Sequence, residues 1–180
     1  MTGRSVVLRD GTSVVLRPMH DDDGERLVRF HATLSPETQY LRFFSGHARL
    51  SEQEVEWFTH VDRHQRDAFV ALVDDEIVGV GRFDRLSSGA DAEVAFVVTD
   101  RLQGRGLGKV LLAEIASRAA ELGIERLVAE TLLHNERMLA VFHHSGLPLS
   151  TRYADGVVHI TMSVPVAEDR PVLPVTSRDG

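Results

Sequence analysis

Residues 92–122, AEVAFVVTDRLQGRGLGKVLLAEIASRAAEL, contain the change of pattern that decides the fold. The run Ala92–Thr99 is rich in β-branched residues and predicts a strand. Apolar residues then recur at helical spacing from Gly106 to Leu122, and Gly123 ends the pattern. The predicted core stripe of this helix comprises Leu107, Val110, Leu111, Ile115 and Leu122. A strand, a glycine-rich loop and a helix in succession indicate a crossover in a mixed α/β domain.

The residues after this helix predict one more helix among further strands. Short apolar runs indicate the strands, while Asn135 and Gly146 mark the two ends of the helix. The dipeptide Asp155-Gly156 favours a turn between the last two strands. In order, the predicted elements are a strand at Leu127–Thr131, a helix at Asn135–His144, and strands around Leu149–Tyr153 and Val157–Val164.

Upstream of residue 92, two alternating runs and two β-branched runs predict four more strands. The chain is expected to open with a hairpin, in which Ser5–Arg9 and Ser13–Arg17 flank the turn Asp10-Gly11. Two β-branched runs, Ala68–Val73 and Ile77–Phe83, come shortly before residue 92 and are predicted to be joined at Asp74-Asp75. These two runs and the next strand are predicted to pair antiparallel.

Three helices are predicted between the hairpin and these runs. The acidic cluster Asp21–Asp23 favours the start of the first helix. Ser35-Pro36 breaks it, and a second short helix is predicted at Tyr40–Phe44. Ser51 and Glu54 form a capping-box pattern, which indicates the start of the third helix.

The composition excludes several classes of function. The chain has 180 residues, no cysteine and a formal net charge of −7. Disulfides and thiol nucleophiles are therefore excluded, and the acidic balance argues against a nucleic-acid partner. No apolar run reaches membrane length. We expect a cytoplasmic monomer or homodimer without a membrane partner, with one domain over 1–164 that includes the hairpin at 5–17, and a flexible C-terminal tail over 165–180.

The loop Gln103-Gly104-Arg105-Gly106-Leu107-Gly108 predicts a phosphate site. Glycines let the backbone approach an anion, and the first amides of the following helix point toward it. A Walker loop would require glycine at Gln103 and Ser or Thr at Val110. The dinucleotide fingerprint would require glycine at Lys109. The sequence fits neither motif, and a merely structural glycine turn is the alternative interpretation.

The loop does match the pattern Gln/Arg-x-x-Gly-x-Gly/Ala, and here the chain resembles the GNAT family of acetyl-coenzyme A dependent N-acetyltransferases. That family places the pattern between its fourth strand and third helix. The resemblance implies a mixed α/β (α+β) GNAT fold, with a mostly antiparallel sheet, a parallel strand 4/strand 5 pair that splays, and flanking helices. It also implies acetyl-CoA as co-substrate. The histidines show no metal-ligand spacing, so no metal is expected.

The resemblance also implies which residues bind the cofactor. The end of the fourth strand would bind the pantetheine arm, and the loop would bind the pyrophosphate. Arg105 and Lys109 either reach phosphates or are solvated surface charges, and Asn135 either lies near the pantetheine or caps its helix. The implied cofactor-binding residues are Phe96, Val97, Val98, Gln103, Gly104, Arg105, Gly106, Leu107, Gly108, Lys109, Asn135, Met138 and Phe142.

Transfer to an amine requires a base. A lysine with a pKa of about 10.4 is less than one-thousandth neutral at pH 7, a cost of roughly 4–5 kcal/mol. Glu93 lies three residues before Phe96, where family members commonly place a glutamate base. The alternative interpretation is a carboxylate paired with Arg82 or Arg85 across the sheet. Glu130 and His134 are second candidates for the base.

The general acid is an open question in the sequence. Many relatives have a tyrosine seven residues after the helix asparagine, where this chain has Phe142. Either the thiolate leaves without a tyrosine, since a thiol of pKa about 8.5 is a fair leaving group, or another group such as Tyr153 serves.

A narrower resemblance concerns the acceptor. Segments from about Asp10 to Leu147 look like the catalytic domain of bacterial Pat-type protein lysine acetyltransferases. The resemblance implies a lysine on an acceptor protein, such as an acyl-CoA synthetase, as the substrate. Two alternatives are an acetyltransferase for a small amine and a non-catalytic acetyl-CoA sensor. The segments that carry the resemblance are Leu34-Ser35-Pro36-Glu37, Tyr40-Leu41-Arg42-Phe43-Phe44, Phe58-Thr59-His60-Val61-Asp62, Ala92-Glu93-Val94-Ala95-Phe96 and the glycine-rich loop.

Overall fold

A computed structural model describes residues 3–43 and 49–165. Within these residues, eight strands form one sheet and five helices flank it. The strands are β1 Arg4–Val7, β2 Ser13–Pro18, β3 Arg66–Val73, β4 Glu76–Arg85, β5 Asp91–Val98, β6 Arg126–Leu132, β7 Leu149–Ala154 and β8 Val157–Ser163. The helices are α1 Gly24–Ala32, α2 Pro36–Phe43, α3 Glu52–Thr59, α4 Leu107–Glu121 and α5 Glu136–His143.

The sheet has the strand order β1-β2-β3-β4-β5-β6-β8-β7. Neighbouring strands pair antiparallel except β5 and β6, which are parallel and joined by the crossover through α4. The β5–β6 ladder ends at the pair Glu93–Val128, although both strands continue beyond it. The predicted mixed α/β fold with a parallel, splayed strand pair is therefore confirmed.

The two faces of the sheet bury different helices. On one face, Phe96 of β5 lies in the same core cluster as Leu107, Leu111 and Ile115 of α4. On the other face, Val70 of β3 packs with apolar residues of α1. In β3, alternate residues enter opposite clusters, as a pleated strand requires. The α4 stripe was predicted correctly at its centre, and it also includes Leu112, Ala116 and Ala119.

Most local signals have the predicted structural effect. Asp74 and Asp75 both adopt positive φ, at 51° and 64°, and turn β3 into β4. Ser51 and Glu54 form the reciprocal capping box, with the Glu54 amide donating to Ser51 Oγ at 3.3 Å and the Ser51 amide donating to Glu54 Oε2 at 2.8 Å. These elements were predictable because each depends on residues adjacent in sequence.

Two predicted boundaries are wrong. The first strand ends at Val7 rather than Arg9, because the amide of Leu8 already bonds the carbonyl of Thr12 and closes a longer turn. The second helix begins at Pro36 rather than Tyr40, because proline is tolerated in the first turn of a helix. The predicted helix end at Phe44 and the tail over 166–180 lie outside the described residues.

Gly81 sets the distance between β4 and α4. A Cβ built on Gly81 would lie 2.9 Å from Cδ1 of Ile115 and 3.3 Å from Cβ of Leu111. We expect Gly81→Val to lower the free energy of unfolding by about 1–3 kcal/mol through overpacking. Urea denaturation measures this, and the loss should be smaller in an Ile115→Val background, which lacks the Cδ1 atom. Equal losses in both backgrounds would contradict the proposed contact.

Candidate active site

The glycine-rich loop leads from β5 into α4. After the 3-10 turn Asp100–Leu102, Gly104 and Gly106 adopt positive φ, at 73° and 97°. Gly106 is the N-cap residue of α4, and no side chain in the described part of the chain caps this helix end. The first amides of α4 therefore remain available to an anion, which the helix dipole also favours.

The Gln103 side chain holds the loop in position through hydrogen bonds. Its Nε2 donates to the carbonyl of Val98 and to Oγ1 of Thr38, both at 3.1 Å. Its Oε1 accepts a hydrogen bond from Arg137 Nη1 at 2.7 Å. The side chain thus links the end of β5 to α2 and α5, and the predicted contribution of Gln103 to the pyrophosphate site is left to its main chain.

The β1–β2 turn packs against the loop. The amide of Arg9 donates to the carbonyl of Arg105 at 3.3 Å. Asp10 forms an ion pair with the guanidinium of Arg105, and this hydrogen bond and those from Thr12 lower the pKa of Asp10 to about 2. The charge of Arg105 is therefore already paired at neutral pH, which favours a structural role for this side chain.

Arg9 is a loop neighbour that the sequence did not reveal. Its Nε lies 3.7 Å from the position that a Cβ on Gly106 would occupy, and the side chain is exposed. Lys109, in the first turn of α4, is also exposed and forms no ion pair with a described residue. Both are free cations beside the helix N-terminus. No local signal distinguishes Arg9, because a hairpin turn carries no information on what packs against it.

Two loop residues contribute mainly to packing. The Leu107 side chain is fully buried in the core, so only its main chain could contact a cofactor. A Cβ on Gly108 would lie 3.1 Å from Cγ2 of Val141 and 3.5 Å from Cε2 of Phe96. Gly108 therefore allows α4 to approach α5 closely.

The implied cofactor-binding residues at the start of α5 and within it lie near the glycine-rich loop and the end of β5. Asn135 caps the helix, with Oδ1 accepting from the amide of Met138 at 3.2 Å. Met138 is half-buried against the core. Phe142 is only 2% exposed, and its ring meets Phe96 edge to face at 5.5 Å between centroids. A buried phenylalanine has no proton to donate, and Tyr153 is 62% exposed on β7.

Glu93 lies at the last β5–β6 pair and lines a cavity of about 470 Å³. The residue is exposed, and its carboxylate makes no hydrogen bond or ion pair with any other described residue. Arg82 instead pairs with Asp84, and Arg85 donates to the carbonyl of Leu122 at 2.6 Å. The alternative interpretation, an ion pair between Glu93 and one of these arginines, is therefore wrong.

The same cavity contains Glu130, the second candidate for the base. Oε1 of Glu130 lies 2.9 Å from Nδ1 of His159, which also lines the cavity. His134 is exposed in the turn after β6 and does not line the cavity. The structure thus brings Glu93 and Glu130 together and leaves His134 outside.

A comparison with known families agrees with this geometry. The model of the acetyltransferase (GNAT) family matches residues 30–147, which include the glycine-rich loop and Glu93. The chain belongs to the GNAT family. It is therefore an acetyl-CoA-dependent N-acetyltransferase, and enzymes of this family need no metal. The open amides of α4 and the left-handed glycines fit the pyrophosphate of that co-substrate.

Individual relatives extend this GNAT assignment. Acetyltransferase PA5475 of Pseudomonas aeruginosa is 32% identical over 135 residues, an alignment that covers 73% of each chain. Acetyltransferase Pat of Mycolicibacterium smegmatis is 32% identical over 174 residues, which is 94% of this chain and 51% of Pat. This chain thus spans about half the length of that relative.

A solved structure shows the same architecture. The crystal structure of the GNAT domain of S. lividans PAT superposes with a TM-score of 0.84 at 40% identity, covering 89% of this chain and 96% of that domain. Within the described residues, this GNAT chain has no helix that is both long and apolar enough to cross a membrane.

The unpaired Arg9 and the paired Arg105 should contribute differently to acetyl-CoA binding. A charge-assisted hydrogen bond contributes about 1.5–3 kcal/mol, so we expect Arg9→Ala to raise the KM for acetyl-CoA about tenfold or more, with little change in kcat. Arg105→Ala should raise it less, because Asp10 already pairs with that charge. Steady-state kinetics with varied acetyl-CoA measure both variants against Arg4→Ala, a surface control. A larger effect for Arg105→Ala would contradict this assignment.

Proposed function

We propose that this GNAT enzyme transfers the acetyl group of acetyl-CoA to the ε-amine of a lysine on a protein, such as an acyl-CoA synthetase. The amine attacks directly in a ternary complex, with Glu93 as general base. The observation that carries the proposal is the unpaired Glu93 carboxylate, which lines a cavity where β5 and β6 part. The acceptor class follows the resemblance to Pat-type enzymes and the similarity to Pat of M. smegmatis and of S. lividans.

The position of Glu93 suits a base that acts through water. Strand alternation places its side chain on the opposite face from Phe96, three residues further along β5. Three residues of a strand span roughly 10 Å, so a bridging water would carry the proton from the amine to the carboxylate. A 470 Å³ cavity has room for such a water beside an acceptor side chain.

Arg42 places a positive charge near Glu93. Burial and the neighbouring Arg82 lower the pKa of the Arg42 guanidinium to about 10, while Glu93 and Asp84 oppose this shift. Arg42 therefore stays protonated at neutral pH.

The main chain of β5 provides the second part of the site. Beyond Glu93 the edge of β5 that faces β6 has no ladder partner among the described residues. Unpaired strand edges bind extended chains by main-chain hydrogen bonds, which suits a pantetheine arm along Phe96–Val98. An amide there would donate to the oxygen of the acetyl thioester as negative charge develops on it.

The proton balance of the reaction needs one base and no tyrosine. Acetyl-CoA supplies an activated acetyl group on sulfur. Glu93 removes one proton from the acceptor ammonium, and the neutral nitrogen forms the new bond to the acetyl carbon while the bond to sulfur breaks. The nitrogen then loses a second proton to solvent, which leaves a neutral amide. The departing thiolate has a conjugate pKa of about 8.5 and is protonated by solvent. Buried Phe142 takes no part in proton transfer.

Replacement of the base tests the mechanism. Glu93→Gln keeps the shape of the side chain and removes its ability to accept a proton, so kcat should fall roughly 100-fold or more. The dissociation constant of acetyl-CoA should stay within about twofold, because the loop is untouched. Glu125→Gln, on an exposed turn, is the matched control. Unchanged turnover in Glu93→Gln would rule out this base.

A proteome extract tests the acceptor. Incubation with isotopically labelled acetyl-CoA should place label on lysines of a small set of folded proteins, and Glu93→Gln enzyme should leave these sites unlabelled. Mass spectrometry maps the sites. Release of free thiol with small amines alone would favour the small-amine enzyme, and absence of thiol release with any amine would favour a sensor.

A further inference from the structure

Three polar side chains form a row across the sheet face beside Glu93. The strand register pairs Glu130 of β6 with His159 of β8, and His159 with Arg152 of β7. All three line the 470 Å³ cavity that also contains Glu93. Cross-strand partners lie on the same face of a sheet, so these residues stand side by side from the parting of β5 and β6 to the sheet edge.

The two ends of the row carry opposite charges. Glu130 lies at the inner end, close to the parting strands, and is held by Nδ1 of His159 at 2.9 Å. Arg152 lies at the outer end on β7, the last strand of the sheet. Two strand spacings separate Arg152 from Glu130, roughly 10 Å. The inner end thus suits an ammonium group and the outer end an anion.

The Arg152 guanidinium has no partner among the described residues. The residue is exposed, and its side chain makes no hydrogen bond or ion pair with any of them. By contrast, carboxylates pair with Arg4, Arg17, Arg63, Arg82 and Arg118. The planar guanidinium fork matches a carboxylate in two parallel hydrogen bonds. An unpaired arginine in a cavity is therefore available for a carboxylate of the acceptor.

We infer that this row recognises the sequence around the acceptor lysine, and the inference rests on the proposed function. The lysine ammonium lies near Glu93 and Glu130, and Arg152 binds the carboxylate of an Asp or Glu in the same protein segment. An extended peptide rises about 3.4 Å per residue, so the acidic residue stands within about three positions of the lysine. The segment passes over β7, where the sheet ends and nothing described covers it.

The row would determine which lysines are acetylated and would not take part in the chemical step. Contacts between exposed charges are worth up to about 1 kcal/mol, which corresponds to a preference of about three- to fivefold. Such a preference acts on kcat/KM for competing lysines. A free amine without a neighbouring carboxylate would use only the inner end of the row.

A peptide scan tests the assignment. The substrates are short, blocked peptides of Gly, Ala and Ser with one central lysine, in which Glu, Gln or Lys is placed at successive positions on either side. For the wild-type enzyme, kcat/KM should be about three- to fivefold higher with Glu than with Gln at the best position. Arg152→Glu should reverse the order, so that the peptide with a second Lys becomes the better substrate. Arg152→Gln should remove the difference between Glu and Gln.

Controls separate the possible failures. Arg4→Gln, at the opposite edge of the sheet, should keep the wild-type ratio. Thermal denaturation and acetyl-CoA binding report whether each variant folds. If Arg152→Glu does not fold, Arg152→Gln tests the inference on its own. Peptides acetylated at equal rates whatever the neighbour, or a ratio unchanged in both Arg152 variants, would overturn this inference alone. Acetylation of small amines but of no peptide would overturn the proposed acceptor class and this inference together.

Discussion

The early end of the β5–β6 ladder is the constraint on which the site depends. Parallel pairing stops at Glu93–Val128, yet β5 continues to Val98 and β6 to Leu132. The facing edges beyond that pair are left without ladder partners in the described structure, and main-chain groups in such positions require hydrogen-bond partners from elsewhere. In the proposed function, the amide groups along the pantetheine arm of acetyl-CoA supply these partners. The site is therefore a gap in a sheet, and its shape is set by how firmly the two strands are held apart.

Two groups of contacts hold the cofactor side of this gap. Gln103 fastens the end of β5 to α2 and α5, and Gly108, which has no Cβ, lets α4 approach both Val141 and Phe96 closely. The β1–β2 turn, at the far end of the sheet order, covers the glycine-rich loop through Asp10 and Arg105. The loop thus keeps its amides open while the side chains of Gln103 and Arg105 fix its position against neighbouring elements.

The two sides of the gap differ in chemistry. Toward α4 and α5 the surroundings are apolar, with Phe96 and Phe142 in edge contact, and the Phe142 side chain has no proton to donate to a leaving thiolate. Toward the other face lie the carboxylates of Glu93 and Glu130, with Arg42 nearby. In the proposed mechanism, proton removal therefore takes place on the acceptor side, and the thiolate departs because of its own low basicity. The substitution of a tyrosine by Phe142 is then compatible with catalysis.

The sequence by itself determined the order of elements, the turns at Asp74-Asp75 and Asp155-Gly156, the cap at Ser51, the open loop before α4 and the family. Each of these depends on residues close together in the chain, where periodicity, capping and turn chemistry act. Only the tertiary structure decided that Arg82 and Arg85 leave Glu93 unpaired, that Asp10 takes the charge of Arg105, and that Arg9 lies beside Gly106. It also decided that Arg152, His159 and Glu130 share one row. These contacts join residues that are far apart in sequence, 95 positions for Asp10 and Arg105. Packing and strand register, which no local pattern encodes, bring them together.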